Sequence, residues 1–344
     1  MIAWEVTRNC NLNCIHCRAS ADMGPYGEEF LFDECVRLLD DIASFSKPII
    51  ILTGGEPLFR DDIFAIADYG TRKGLRMVMA VNGTMVTPEN ALRIKKSGIR
   101  RISISLDGAS PESHDQFRGV EGAFAGALRG IEYAKQAGVD FQINTTITKK
   151  NLHELSQIHS LAQELQAVAH HIFVLVPTGR GKDIPEEARV TPEEYESTLY
   201  WFWEQEGKTA LQLKATCAPQ YYRIREEGLR KSGEKRLSPS SEFNVMTRGC
   251  LGGVAFCFIS HRGTVSPCGY LELDCGNVRE KSLKRIWADS VVFRELRDFK
   301  HYEGKCAHCG YVRTCGGCRA RAYHATGNYL AEDPYCQYNF SGEQ

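Results

Sequence analysis

Three cysteines near the N-terminus have the spacing of an iron–sulfur site. Cys10, Cys14 and Cys17 are separated by three and by two residues. A 4Fe–4S cluster usually takes four thiolates, so three thiols on one loop leave one iron open to an exogenous ligand. A zinc site completed by a distant His could show the same triplet. The motif follows an apolar run at residues 2–6, so its chemistry depends on where that run lies in the fold.

A second, larger group of cysteines lies in the C-terminal region. Its members are spaced as Cys250-x12-Gly263-x4-Cys268, Cys306-x2-Cys309-x5-Cys315-x2-Cys318 and a final Cys336. Paired CxxC knuckles are typical of a zinc ribbon, but those knuckles are normally about 15–20 residues apart. Only five residues separate Cys309 from Cys315. Regular periodicity also fades after about residue 246, which indicates a region held together by metal rather than by an apolar core.

The composition limits the class of protein. Fourteen cysteines in 344 residues, behind an N-terminus that lacks an export signal, favour metal ligation over a disulfide scaffold. Cys35 lies on a predicted amphipathic helix and is interpreted as a buried thiol. The net charge of −1 shows no polybasic signature of nucleic-acid binding, and no apolar run approaches the roughly 20 residues of a membrane span. We therefore expect a cytoplasmic protein with no nucleic-acid partner and no membrane span.

Alternating strands and helices should position the N-terminal triplet. Apolar, β-rich runs occupy residues 2–6, 48–53, 74–81, 100–106, 139–147 and 171–176. Between them, residues 32–45, 87–98 and 122–138 have apolar positions at helical spacing. Continuous apolar strands separated by helices predict a parallel sheet. Six such units are too few for a closed eight-fold barrel, so we predict an open, partial (β/α)6 barrel whose site lies beyond the carboxyl ends of the strands.

The rest of the chain suggests three regions. A polar segment rich in Pro and Gly follows the sixth strand and leads into a predicted helix at about 191–206. Residues 228–243 are predicted to form a mobile loop. We therefore predict a core at residues 1–206, a bridging region at 207–245 and a cysteine-rich domain at 246–344.

The N-terminal motif CNLNCIHC resembles the CxxxCxxC signature of the radical S-adenosylmethionine (SAM) superfamily, although the position before the third cysteine is His16 rather than an aromatic residue. The resemblance implies that Cys10, Cys14 and Cys17 bind the catalytic 4Fe–4S cluster, and that reductive cleavage of SAM gives a 5′-deoxyadenosyl radical. Gly54-Gly55-Glu56-Pro57 resembles the family's GGEP element, which binds the SAM ammonium. The family's further SAM contacts correspond to Asn82, Ser105, Asp107 and Asn144.

The C-terminal set resembles the SPASM domain, with x2 in place of x3 before Cys318. That domain binds two auxiliary 4Fe–4S clusters. The resemblance implies an outer cluster held by Cys306, Cys309, Cys315 and Cys336. It implies an inner cluster held by Cys250, Cys257, Cys268 and Cys318, with Cys275 as a competitor for Cys257 or an open coordination site.

Over nearly its full length the chain resembles the heme synthases of the alternative, siroheme-dependent haem pathway, in stretches such as FQINTTITKKNLHEL and CGGCRARAYHATGNYLAEDPYC. The resemblance implies oxidative decarboxylation of two propionates of iron-coproporphyrin III to vinyl groups, giving haem b. Such a reaction needs the porphyrin as substrate, a low-potential electron donor and an electron acceptor. Propionates favour bidentate cationic partners. The candidates are Arg118, Arg180, Lys182, Arg223 and Arg248.

Three alternatives stay open. A related radical SAM enzyme of tetrapyrrole side chains, acting on didecarboxysiroheme or in haem d1 formation, would share every motif. A peptide-modifying SPASM maturase would share the clusters, but usually carries an N-terminal recognition domain that we do not expect ahead of the first strand. A zinc-binding protein without catalytic activity leaves the GGEP element unexplained.

Overall fold

The computed structural model describes residues 1–232 and 248–339, and one sheet runs through both parts. Its nine strands are β1 (Ile2–Thr7), β2 (Ile49–Gly54), β3 (Arg76–Val81), β4 (Arg101–Ser105), β5 (Asp140–Ile147), β6 (Ala169–Val174), β7 (Gln212–Thr216), β8 (Cys257–Ile259) and β9 (Val265–Ser266). The order across the sheet is β7-β6-β5-β4-β3-β2-β1-β8-β9. Neighbouring strands from β7 to β8 are parallel, and β9 is antiparallel to β8.

Twelve α-helices lie among the described residues, and most of those in the N-terminal part pack on the outer face of the sheet. They are α1 (Phe32–Phe45), α2 (Ile63–Arg72), α3 (Pro88–Lys96), α4 (Pro111–Arg118), α5 (Ala123–Gln136), α6 (Leu155–Glu164), α7 (Pro192–Glu204), α8 (Gln220–Ser232), α9 (Leu283–Asp289), α10 (Val291–Arg297), α11 (Lys305–His308) and α12 (Arg319–Thr326). The sequence correctly predicted α1, α3, α5 and α7, but α2, α4 and α6 were not predicted. Among the described residues, no helix is long and apolar enough to cross a membrane.

The two faces of the strands have different roles. Ile50, Leu52 and Ile104 are fully buried in the main apolar core, against the helices. The alternate positions, such as Ser103, Asn144 and His171, point the other way and line a cavity of about 650 Å3 inside the curved sheet. The sheet does not close, because its ends are the strands β7 and β9. The predicted open, partial α/β barrel is therefore confirmed.

Two features extend the predicted architecture. Strand β7 and helix α8 lie in the region predicted as a bridge, and β7 adds a seventh parallel strand beside β6. Strand β8, from the cysteine-rich region, pairs in parallel with β1 through Ile2 and Trp4. Strand β6 also begins two residues before the predicted run. Residues 233–243 of the predicted mobile loop, and the predicted domain boundary at 246, lie outside the described residues.

A buried carboxylate ties the two cysteine-bearing parts together. Glu5 of β1 is fully buried; its Oε1 accepts a hydrogen bond from Arg18 Nη2 at 3.0 Å, and its Oε2 lies 2.7 Å from His261 Nδ1. Arg18 directly follows Cys17, and its guanidinium lies 4.4 Å from the ring centre of Phe258 on β8. Burial opposes ionisation of Glu5, but the His261 hydrogen bond and Arg18 lower its pKa to about 2.

Replacing Glu5 by Gln should lower the free energy of unfolding by about 3 kcal/mol, because removing one partner leaves buried charge uncompensated. The Glu5 contribution is fully present above its unfolded pKa of 4.5 and is lost only as the pH falls towards 2, so pH 7 shows all of it. Anaerobic urea unfolding of the holoprotein measures it. Asp68→Asn, which breaks the exposed Arg72–Asp68 pair, is the control and should cost less than about 1 kcal/mol. Equal losses in both variants would contradict this role.

Candidate iron–sulfur and SAM site

The N-terminal cysteines lie on a loop at the carboxyl end of β1. Cys10, Cys14 and Cys17 all line the cavity. Backbone N–H groups point at two of the sulfurs: Leu12 N is 3.4 Å from Cys10 Sγ, and Ala21 N is 3.3 Å from Cys17 Sγ. Burial raises the pKa of the Cys10 thiol to about 11 and also raises that of Cys14. These thiols are therefore neutral at pH 7 unless a metal displaces their protons.

Arg118 places a positive charge beside the triplet. Its Nη1 lies 3.5 Å from Cys14 Sγ, and its Nη2 forms an ion pair with Asp107 Oδ2. Asp107 also accepts a hydrogen bond from Thr146 N at 2.6 Å. Arg118 lines the cavity, whereas the fully buried Asp107 does not. The Asp107 carboxylate thus positions Arg118, and contact of Asp107 with SAM stays a prediction.

The glycine pair after β2 lets the cysteine loop approach closely. A Cβ on Gly54 would lie 2.0 Å from Thr7 O, and one on Gly55 would lie 2.3 Å from Asn9 O. Gly54 also has φ of 149°, where other residues are strained. Gly55 N donates to Thr7 O at 2.9 Å. Both glycines line the cavity, so the pair supports the cysteine loop as well as the predicted SAM site.

Glu56 of the same element points into the protein. Its Oε1 accepts a hydrogen bond from Leu58 N at 3.1 Å, and its Oε2 accepts one from Asn82 N at 2.7 Å. The residue is fully buried, and burial raises its pKa to about 7. These contacts join the ends of β2 and β3, and contact of Glu56 with the SAM ammonium stays a prediction.

Besides the two glycines, three of the predicted SAM contacts line the cavity. Asn82 follows β3, and its Nδ2 donates to Asn11 Oδ1 on the cysteine loop at 2.8 Å. Ser105 ends β4, and Asn144 lies beside it on β5. All three polar side chains face the space in front of the triplet, where an amino acid and a ribose would find hydrogen-bonding partners.

The C-terminal cysteines separate into two groups. Cys250, Cys268 and Cys318 line the same large cavity as the N-terminal triplet. A second, small cavity is lined by Cys306, Cys309, Cys315 and Cys336, the four cysteines of the predicted outer set. Arg319 lies between the groups: its Nη2 is 3.5 Å from Cys306 Sγ, and its side chain also lines the large cavity.

Cys257 is placed away from the inner set. It lies on β8, opposite Ile2, and is buried in the main apolar core. It does not line the cavity that Cys250, Cys268 and Cys318 share. Its predicted competitor Cys275 packs against the same core. The structure therefore separates both residues from the three cysteines that they were predicted to join.

Four of the five predicted propionate partners face elsewhere. Arg180 packs on the cysteine loop, donating from Nε to Cys14 O at 2.8 Å, and Lys182 is exposed. Arg223 is buried between Glu196 and Glu227, beside the outer cysteines. Arg248 donates to Cys250 O at 2.9 Å and lies over Phe299. Arg180, Arg223 and Arg248 therefore have structural roles that the sequence did not reveal. Arg118 alone of the five lines the large cavity.

Basic residues of the strands were missed by the sequence analysis. Arg76 and Arg101 begin β3 and β4, away from the cysteine loop at the carboxyl ends of the strands, and Lys214 lies in the middle of β7. All three line the cavity. We call these three residues the floor cations. Burial lowers the pKa of each of them, to about 8 for Lys214. The sequence feature that could have identified them is a basic residue at a strand position that faces the inside of the sheet.

The donor sets fit iron–sulfur clusters. Among residues 1–232 and 248–339, no three His, Cys, Asp or Glu side chains converge closely enough to hold a single metal ion. Groups of thiols instead surround cavities, and backbone N–H groups point at Cys10, Cys17, Cys309 and Cys315. Thiolate ligands with N–H hydrogen bonds to sulfur are the usual surroundings of a cluster.

Comparison with known proteins agrees with this site. The family described as the radical SAM superfamily matches residues 4–162, and the iron–sulfur cluster-binding SPASM domain matches residues 250–310. The fold and site define a radical SAM enzyme that binds SAM, a catalytic 4Fe–4S cluster and auxiliary clusters.

Similar proteins identify the family within this superfamily. AdoMet-dependent heme synthases of Nitratidesulfovibrio vulgaris and Methanosarcina barkeri are 52% and 50% identical over 338 residues, which is 98% of this chain and 92% and 96% of theirs. An Fe-coproporphyrin III synthase of Methanosarcina barkeri is 32% identical, covering 98% of this chain and 87% of its own. The chain therefore belongs to the AdoMet-dependent heme synthase family.

Solved structures agree at the level of the fold. Streptococcus suis SuiB bound to S-adenosylmethionine aligns with a TM-score of 0.77 at 16% identity, covering 98% of this chain and 77% of that one. Native anSMEcpe with bound AdoMet aligns with a TM-score of 0.69 at 20% identity, covering 98% and 93%.

Replacing Gly55 by Ala should displace the cysteine loop, because the added Cβ would lie 2.3 Å from Asn9 O. Overpacking of this kind costs about 1–3 kcal/mol, so we expect roughly a tenfold slower formation of 5′-deoxyadenosine. Anaerobic SAM-cleavage assays with dithionite measure it. Gly27→Ala is the matched control, since nothing lies within 4 Å of its Cβ. A Gly55→Ala enzyme as fast as the control would exclude the loop contact.

Proposed function

We propose that this enzyme converts two propionate groups of iron-coproporphyrin III to vinyl groups, giving haem b, as its part in porphyrin biosynthesis. The family supports the substrate class, since its members at 50–52% identity are named heme synthases. In each conversion the propionate loses one hydrogen atom, one CO2 and one electron. When bound, the catalytic cluster and SAM supply the radical that removes the hydrogen atom, and the auxiliary clusters supply one-electron chemistry.

The observation that carries the proposal is the charge of the cavity. Arg101 and Lys214 face its interior from β4 and β7, and burial lowers the pKa of both, since little nearby charge offsets it. Among the described residues, Lys214 Nζ has no hydrogen bond or ion pair, and Arg101 donates only to the neutral Gln212 Oε1, at 3.2 Å. Desolvated cations of this kind favour an anionic ligand. A substrate with four propionates supplies carboxylates for both ends of the cavity.

The walls between the floor and the cysteines suit a flat apolar ring. Ile51, Val78 and Phe173 line the cavity. Its volume of about 650 Å3 lies within the roughly 300–1,000 Å3 of cofactor and ligand pockets. His171 also faces the interior, with Nδ1 2.9 Å from Gln142 Nε2. These residues would exclude water from the reacting side chain while the floor cations bind the carboxylates that do not react.

The reaction requires both an electron donor and an electron acceptor. An external low-potential donor must reduce the enzyme for SAM cleavage, and an acceptor must remove the electron that each decarboxylation releases. We also infer a cytoplasmic location, because the free, cluster-binding thiols of this chain need a reducing compartment.

An anaerobic turnover tests the proposal. The reconstituted enzyme is mixed with SAM, dithionite and iron-coproporphyrin III, and the products are analysed by mass spectrometry. We expect stepwise loss of two carboxyl groups, with 5′-deoxyadenosine formed alongside. Cys14→Ala, which lacks a catalytic-cluster ligand, is the control and should form neither product. Formation of 5′-deoxyadenosine while the porphyrin stays unchanged would exclude this substrate.

A related tetrapyrrole activity is the second candidate. It is favoured by the 32% identity to an Fe-coproporphyrin III synthase, whose name describes production of the compound that we propose as substrate. The same assay with a siroheme-derived substrate distinguishes the two, because only this second activity would yield iron-coproporphyrin III.

The floor cations give a second test. Arg101→Gln and Lys214→Met should each raise KM for iron-coproporphyrin III by roughly tenfold, because a charged hydrogen bond contributes about 1.5–3 kcal/mol. Steady-state kinetics with saturating SAM measure this change. Lys182→Ala removes an exposed cation outside the cavity and should leave KM unchanged. An increase in KM for Lys182→Ala alone would show that the carboxylates bind at the loop after β6 instead.

A further inference from the structure

Cys217 joins the inner group of cysteines although it lies far from them in sequence. It directly follows β7 and precedes α8. Its side chain lines the large cavity together with Cys250, Cys268 and Cys318. Cys217 and Cys268 also pack against one apolar cluster that contains Cys318. Four thiols from separate segments of the chain therefore surround one region.

The Cys217 side chain packs against the apolar cluster that contains Cys318, within electrostatic range of the Cys318 thiol. Cys268 is close enough to interact electrostatically with both of these residues, and Cys250 with Cys318. By contrast, Cys257 and Cys275 interact with each other, within and beside the main core.

A rigid network holds Cys217 in an unusual backbone conformation. Its φ is 57°, in the left-handed region that residues other than glycine rarely adopt. Arg321 Nη2 donates to Cys217 O at 2.6 Å, and Arg321 Nη1 is paired with Asp333 at 3.0 Å. Asp333 Oδ2 also accepts a hydrogen bond from Cys318 N at 2.8 Å. The buried Asp333 carboxylate thus positions both Cys217 and Cys318. The backbone strain at Cys217 persists because these contacts enforce it.

We propose that Cys217 is the fourth protein ligand of the inner auxiliary cluster, with Cys250, Cys268 and Cys318. A 4Fe–4S cluster usually takes four thiolates, and the structure brings four to one site. Cys257 and Cys275 are then core thiols without a ligand role. The inner cluster is consequently closed by protein and has no open iron for substrate. It connects β7 and the C-terminal region at the wall of the large cavity.

Metal content tests the assignment without any porphyrin. A background variant with Cys10, Cys14 and Cys17 replaced by Ala binds iron only at the auxiliary sites. Cys217→Ala is introduced into this background. Cys257→Ala and Cys275→Ala are introduced separately as matched controls. After anaerobic reconstitution, iron, sulfide and the EPR spectrum of the dithionite-reduced protein are measured. Cys217→Ala should lose roughly four irons per chain, or keep them with an altered inner-cluster EPR signal.

The controls should keep the iron content and spectrum of the background. If Cys217→Ala retains a cluster, added 2-mercaptoethanol should shift its EPR signal towards that of the background, because an external thiolate occupies the open iron. A signal from the outer cluster that is unchanged in Cys217→Ala shows that the fold is intact. Iron content and EPR identical to the background in Cys217→Ala would overturn the assignment, as would loss of the inner cluster in Cys257→Ala or Cys275→Ala instead. Neither result bears on the porphyrin substrate.

Discussion

The buried contacts of Glu5 with Arg18 and His261 connect the parts of this enzyme. Arg18 follows the last cysteine of the catalytic loop, and His261 follows β8 of the C-terminal region. Both residues contact the Glu5 carboxylate on β1. The cysteine loop and the C-terminal region therefore cannot move apart without exposing an unpaired charge. One side chain therefore connects the loop that carries the first cysteine group with the region that carries the second.

Fixed positive charges recur beside the cysteines. Arg118 contacts Cys14, and Arg319 contacts Cys306 while also lining the large cavity. Burial alone disfavours the thiolate, as the raised pKa values of Cys10 and Cys268 illustrate. A guanidinium held by Asp107, or by the carbonyls of Tyr329 and Ala331, offsets part of this cost without being able to lose its proton. The chain thus prepares sites for negatively charged clusters.

The sequence predicted features that depend on local patterns. The triplet at Cys10, the open α/β sheet and the grouping of cysteines into CxxC pairs follow from spacing and periodicity, and the family comparison confirms the class. Side-chain direction could not be predicted in this way. Glu56 and Asp107 occupy motif positions but turn into the protein, because backbone N–H groups and Arg118 are their nearest partners.

The sequence also could not predict which residues from distant parts of the chain lie close together. Arg101 and Lys214 appear as ordinary basic residues until β4 and β7 bring them to one cavity. Cys217 has no neighbouring cysteine in sequence to mark it, and only the path of β7 beside β6 brings it close to Cys318.

The pairing of β8 with β1 has a consequence for how the chain could be divided. Strand β1 is buried along its whole length, and β8 supplies the hydrogen bonds on the side away from β2. An N-terminal fragment that ended before β8 would present β1 as an exposed, apolar edge, and such edges template association between molecules. The barrel and its cysteine-rich partner are therefore a single unit for folding and solubility, and gene fragments that separate them should yield aggregates rather than a minimal SAM-cleaving core.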